Sequence, residues 1–216
     1  MKSQDIGLLL KLVSLHKQEL MPEDVGARKA LPMNWEDWST SDSEADVVPE
    51  LPLNGKSGYL ASRYTARGLE DETGISKSQI NLALNRCVAV GLAKNERKSG
   101  IPRANTQALF DFIVHGLKYV FPAKPGEIVR GITTAFAAPV LSSKLKSAGE
   151  LVMVWPDARG NTQGQSIEPL FKSATYAVRR DPEMYAFLAL IDAIRIGRPR
   201  EANLAIELLQ KRLVLN

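Results

Sequence analysis

The sequence predicts a mainly α-helical α+β protein. Three observations carry that reading. Apolar residues recur at helical spacing in several segments; two of those segments are separated only by Gly74-Ile75-Ser76, a stop glycine and a capping serine with one apolar residue between them; and just two short stretches, 92–97 and 151–155, read as strands.

In chain order, Gln4 to His16 carries Ile6, Leu9, Leu10 and Val13 on successive turns. It reads as a helix that ends at His16, before Pro22. Residues 34–55 show no period, contain Trp35, Trp38 and six acidic residues, and read as a loop insertion; removing 36–50 is expected to leave the fold intact. Ala66–Thr73 reads as a short helix with Leu69 inward, stopped by Gly74. Ser76 stands at an N-cap position with Gln79 three residues on, the capping-box spacing. The helix that follows places Ile80, Ala83, Leu84, Cys87 and Val88 on one face, and Gly91-Leu92 closes it. After the 92–97 strand and the turn Lys98–Pro102, a helix begins near Asn105, with Leu109, Phe112, Ile113 and Leu117 on one side.

Glycines and prolines make 122–140 a connector, and 157–164 a turn-rich loop. Asp181-Pro-Glu opens a helix with a cap, a proline at the first position and an acid in the first turn. That helix, to Ile196, is apolar on nearly every side and is expected inside the domain or at an interface. A last amphipathic helix spans 201–214. The organisation expected is a first domain at 1–121 and a connector plus helical domain at 122–216.

Charge is uneven along the chain. Residues 34–55 carry six acidic side chains and no basic one, whereas 56–130 carry twelve basic and six acidic. A basic middle segment favours a polyanionic partner. The single cysteine, Cys87, excludes an intrachain disulfide and a thiolate zinc site. No run approaches the length of a membrane span, and no signal-peptide pattern is present, so a cytoplasmic location is expected.

The segment YTARGLEDETGISKSQINLALNRCVAVGLAKNER resembles the winged helix-turn-helix family of bacterial regulators, the MarR-like group especially. The likeness covers residues 59–103 well and 1–120 loosely. It implies a first helix at 4–17, a support helix at 66–73, a recognition helix at 76–90 and a wing through 92–104. Ile75, Ile80, Leu84 and Leu92 match the usual core places. Cys87 stands where leucine is usual, and Leu82 where a polar or basic residue often faces DNA.

The resemblance implies sequence-specific binding of double-stranded DNA by a transcriptional regulator, with repression the expected mode. A helix in the major groove needs polar side chains at its start and on its outer face. Ser76, Lys77, Ser78, Gln79, Asn81 and Asn85 fill those places, and Gln or Asn can make two hydrogen bonds to adenine. Arg86, Lys94, Arg97, Lys98 and Arg103 are the candidates for phosphate contacts. Removing the acidic residues with 36–50 is expected to strengthen non-specific DNA binding. A homodimer is expected, because paired recognition helices read half-sites about 34 Å apart, with the apolar faces of 105–120 and 182–196 as the contact. The alternative is a non-enzymatic, antitoxin-like interaction subunit that keeps the scaffold and holds a protein partner through its C-terminal unit.

Other motifs lead elsewhere or nowhere. Gly55-Lys56-Ser57 lacks the earlier glycine of a phosphate loop, Glu50 standing in its place. No Gly-x-Ser-x-Gly turn is present, and Glu70 and Asp71, being adjacent, point to different helix faces. His115 reads as a core or interface residue and His16 as a cation at a helix C-terminus. Arg195, Arg198 and Arg200 read as helix-end charge or as a grip for an acidic partner. No enzyme, cofactor or metal site is expected.

Overall fold

Helix α1 (Ser3–Leu20) is buried on every side from Asp5 to Leu15. The computed structural model describes residues 1–20, 36–39, 61–142 and 151–213. α1 runs one turn past His16, so this histidine lies inside the helix rather than at its end. A helix that is apolar all round belongs in a core, and α1 serves as the post on which the rest is built. It packs against α2 (Ala66–Thr73), α3 (Lys77–Ala89), α4 (Thr106–His115) and strand β2 (Pro102–Ala104).

The local signals explain the first half. Thr65 caps α2, its hydroxyl accepting from the Gly68 amide, and Gly74 ends it at φ +67°, a conformation that glycine adopts without steric cost. Ser76 takes the N-cap backbone of α3, but its hydroxyl caps no amide and lies near the Ser78 hydroxyl instead. The expected capping box does not form, because the Gln79 amide is engaged by Gln4 of α1. α3 buries Ile80, Ala83 and Cys87, while Val88, expected inward, is exposed.

Strand β1 (Ala93–Asn95) pairs antiparallel with β2, Lys94 opposite Arg103. The hairpin is closed by Glu96 N–H to Ile101 C=O and by Gly100 N–H to Glu96 C=O. Asn105 caps α4 through its side chain, accepting from the Ala108 amide. The apolar face of Leu109 and Ile113 continues into Leu117 of the short helix α5 (Leu117–Val120).

The stretch read as a connector contains β3 (Ile128–Thr133), a 3-10 turn at Ala135–Ala137 and α6 (Pro139–Ser142). β3 pairs antiparallel with both β4 (Met153–Pro156) and β5 (Thr162–Ser166), which pair parallel with each other, so the three strands close on themselves. The loop expected over 157–164 thus ends in a strand. Glycine is what permits this packing: a Cβ on Gly131 would lie 2.0 Å from the Trp155 carbonyl oxygen, and one on Gly160 would lie 2.0 Å from the Gly131 carbonyl carbon.

Two further helices complete the chain after α7 (Ala174–Arg180), which the sequence reading leaves unassigned. α8 (Pro182–Ile196) starts as expected, the Asp181 carboxylate accepting from the Glu183 and Met184 amides. Gly197 ends it, and α9 (Pro199–Leu213) folds back on α8 and α4. Every residue of α8 from Met184 to Ile194 is buried by the protein's own chain. This corrects the expectation that its apolar face offers a dimer contact or holds a partner.

The core is continuous from Ile6 in α1 to Leu213 in α9. At its centre sits a buried ionic node. The Lys11 ammonium donates to Asp181 at 2.7 Å and pairs with Glu72 at 2.5 Å, while the Ser14 hydroxyl donates to Asp181 at 2.6 Å. Arg63 holds the other oxygen of Glu72. The node therefore ties α1, the end of α2 and the start of α8 together.

Of the 34–55 stretch, residues 36–39 lie within the described residues, and they are anchored rather than loose. Trp38 is buried against Tyr185, and it bridges to Gly160. The Asp37 carboxylate accepts from the Thr133 amide at 2.7 Å and the Thr162 hydroxyl at 2.8 Å. Removing 36–50 would take away these contacts, so a loss of stability is the expected outcome rather than an unchanged fold. Trp35 and the remainder of that stretch lie outside the described residues, as does Pro22. No helix among the described residues is long and apolar enough to cross a membrane.

Candidate nucleic-acid interface

α3 is presented by the turn Gly74–Ser76 and gripped from behind by α1, so its outer face is fixed. Ser76, Lys77, Ser78, Asn81 and Asn85 lie exposed on it. Beside the helix, β1 carries Lys94, and the hairpin tip carries Arg97 and Lys98, all exposed. These eight side chains are brought to one surface formed by α3 and the hairpin attached to it.

Three other candidates turn away from that surface. Arg86 forms a two-pronged pair with Asp5 of α1, Nε to Oδ2 at 2.9 Å and Nη2 to Oδ1 at 2.6 Å. Arg103 lies over the Tyr64 ring, donates to the Tyr64 hydroxyl at 2.8 Å, and pairs with Glu19 at 2.7 Å. Gln79 is half-buried, its carbonyl accepting from the Gln4 amide at 3.1 Å. The phosphate role expected of Arg86 and Arg103 is corrected accordingly: both guanidinium groups neutralise carboxylates of α1 and fasten α3 and the hairpin to it. Asp5 is fully buried, and a charge in that position demands a cation. An acid at the polar edge of the apolar run that begins at Ile6 carries no local signal of its burial or of its partner.

Under the hairpin, Arg103, Glu19, Glu96 and His16 form a small charged cluster. Burial and then the Arg103 charge hold His16 below its ordinary pKa, so it is neutral near pH 7 and not the cation expected at a helix end. His115 is exposed at the end of α4, which corrects its reading as a core residue. The Cys87 thiol is fully buried, and burial pushes its pKa up to about 11, leaving it protonated and unreactive. Among the described residues, no three His, Cys, Asp or Glu side chains are grouped so as to hold a metal ion.

The outer face is not wholly polar. Leu82 is 50% exposed in the middle of it, and Val88 and Val90 at its C-terminal end are 41% and 63% exposed. Polar hydrogen-bonding groups therefore dominate the first two turns of α3, and apolar ones the last.

No family model matches this chain, and comparison with curated proteins and with solved structures gives no match.

Proposed function

We propose that this protein is a sequence-specific DNA-binding regulator that uses residues 66–104 as a winged helix-turn-helix. The observation that carries the reading is the surface on which Ser78, Asn81 and Asn85 stand exposed beside Lys94, Arg97 and Lys98. A helix with amide side chains on its outer face meets the hydrogen-bonding edges of bases in a major groove, while a flanking basic hairpin meets phosphates. Between Ser76 and Arg103 there are six basic side chains and one acidic one, and with Arg86 and Arg103 paired internally, Lys77, Lys94, Arg97 and Lys98 remain for the backbone.

A substitution series separates the two kinds of contact. Asn81→Ala and Asn85→Ala should each cost about 1–3 kcal/mol at a preferred site and little on random duplex. Arg97→Ala and Lys98→Ala should weaken both sequences alike and lower the salt slope by about 1 each. All four side chains are exposed, so thermal unfolding should stay near that of the parent.

A second reading is favoured by Leu82, Val88 and Val90. Exposed apolar side chains on this helix and at its C-cap suit a protein partner, and its binding would respond little to salt. Leu82→Lys distinguishes the two, since it removes apolar contact area and adds a cation. Stronger duplex binding supports the DNA reading, and loss of a captured protein partner supports the other.

A further inference from the structure

Apart from the two ends of α1 and the outer side of α3 with its C-cap, the large apolar side chains left exposed among the described residues are Tyr119, Val120, Ile128, Leu151 and Val152. They fall around one groove of about 410 Å³, walled by Ala123, Pro125, Phe136, Leu151, Met153 and Ile196. Strand register places Ile128 there too. It stands opposite Gln165 of β5, which stands opposite Met153 of β4, so the three side chains share one face of the sheet and Ile128 extends the wall that Met153 begins. The Arg195 guanidinium holds the carbonyls of Phe121 and Pro122 at 2.9 and 3.3 Å, and the Gly126 amide donates to the Ser166 carbonyl at 2.8 Å. The chain from 121 to 126 is thereby pinned along the groove, with Tyr119 and Val120 at its approach.

We propose that a second copy of this chain docks on this face, in a two-fold contact centred on the groove. Soluble monomers rarely leave so much apolar surface contiguous. Charge selects the occupant. A two-fold contact brings a surface against itself, so its rim must carry both signs. Here Lys118 and Lys124 stand exposed, as does Glu127, and Glu201 lines the groove. The α3 surface, with Lys77, Lys94, Arg97 and Lys98, would instead repel its own copy, and the carboxylates here oppose a polyanion. Beneath the groove, Arg195 is already paired with the buried Asp192 at 2.7 Å, so docking desolvates no unpaired charge there. In extent, residues 118–128, 151–153 and 195–201 with Gln165 reach the roughly 20–30 residues a side of a standard interface. The inference goes beyond the DNA-binding reading and does not rest on it, although a two-fold dimer would give that reading its paired recognition helices.

The test is sedimentation equilibrium of the full chain, free of DNA, across the micromolar range. The parent should sediment as a dimer. Ile128→Glu and Leu151→Glu each set a carboxylate in the contact and should raise the dimer dissociation constant roughly tenfold or more. Lys124→Glu, which alters only the rim, should weaken the dimer less, and the control Val90→Glu, an exposed apolar site at the C-cap of α3, should match the parent. All four side chains are exposed, and an unchanged far-UV circular dichroism spectrum verifies that each variant is folded. A parent that stays monomeric throughout overturns the proposal and leaves the groove to another occupant. A dimer that Ile128→Glu and Leu151→Glu leave intact, or that only Val90→Glu weakens, overturns it as well, because the contact then lies elsewhere. DNA is absent from every arm, so failure here leaves the DNA-binding reading standing, and failure of duplex binding leaves this one.

Discussion

Replacing Lys11 with Met should lower folding stability by about 3–5 kcal/mol, one of the two largest single effects expected in this protein. The ammonium is fully buried and holds Asp181 at 2.7 Å. Removing it leaves a carboxylate in an apolar core with only the Ser14 hydroxyl and two backbone amides. Glu72 suffers less, because Arg63 still grips it. Burial alone would raise the pKa of Asp181, but Lys11 and the hydrogen bonds outweigh burial and hold it below the ordinary value. In the parent, that pair therefore stabilises the fold above about pH 4, and the contribution is lost as pH falls through the depressed native pKa. In Lys11→Met the sign reverses. Burial then lifts the Asp181 pKa, the native state takes up a proton more readily than the unfolded chain, and stability falls as pH rises. The gap in melting temperature between parent and variant should narrow from pH 7 to pH 4. Adding Asp181→Asn keeps an N-cap while removing the stranded charge, so the double variant should recover much of the loss. A gap that does not change with pH would show that packing, and not charge, accounts for the effect.

Trp38→Ala should cost about 3–5 kcal/mol, the range for emptying a buried tryptophan site. Trp38 is 5% exposed, stands edge-on to Tyr185 with ring centres 6.0 Å apart, and bridges to Gly160. Its loss opens a cavity against the closed three-stranded unit and α8. Asp37→Ala acts at the same place through polarity, leaving the Thr133 amide without its carboxylate acceptor. Denaturant unfolding checks both. A Trp38→Ala midpoint close to that of the parent would show that this segment is an appendage after all.

What the sequence made legible was punctuation. Gly74, Asn105 and Asp181-Pro182 mark helix boundaries by local chemistry, and the structure has boundaries at each. Gly131 and Gly160 carried the opposite lesson. As breakers they argued for a connector and a loop, yet they sit where two backbones approach too closely for any Cβ. That requirement arises from a strand distant in sequence, which local pattern cannot express. Trp38 was hidden for the same reason, its acidic and proline-rich surroundings outweighing one large apolar side chain. Within the candidate interface, helical periodicity sorted the buried from the exposed positions of α3 well, Val88 excepted. It could not sort free cations from paired ones. Arg86 and Arg103 find Asp5 and Glu19 on α1, far off in the chain, whereas Lys94, Arg97 and Lys98 find no such carboxylate among the described contacts.

The central claim is that the surface of α3 and its hairpin binds duplex DNA. Its most direct test is the affinity of the purified full chain for a duplex drawn from upstream of its own coding sequence, followed from 50 to 200 mM salt. With Lys77, Lys94, Arg97 and Lys98 each releasing a counterion, the logarithmic salt slope should lie at about −3 to −4, and affinity should fall by roughly 10² over that range. No binding at 50 mM salt, or an affinity that stays flat across the range, would contradict the account.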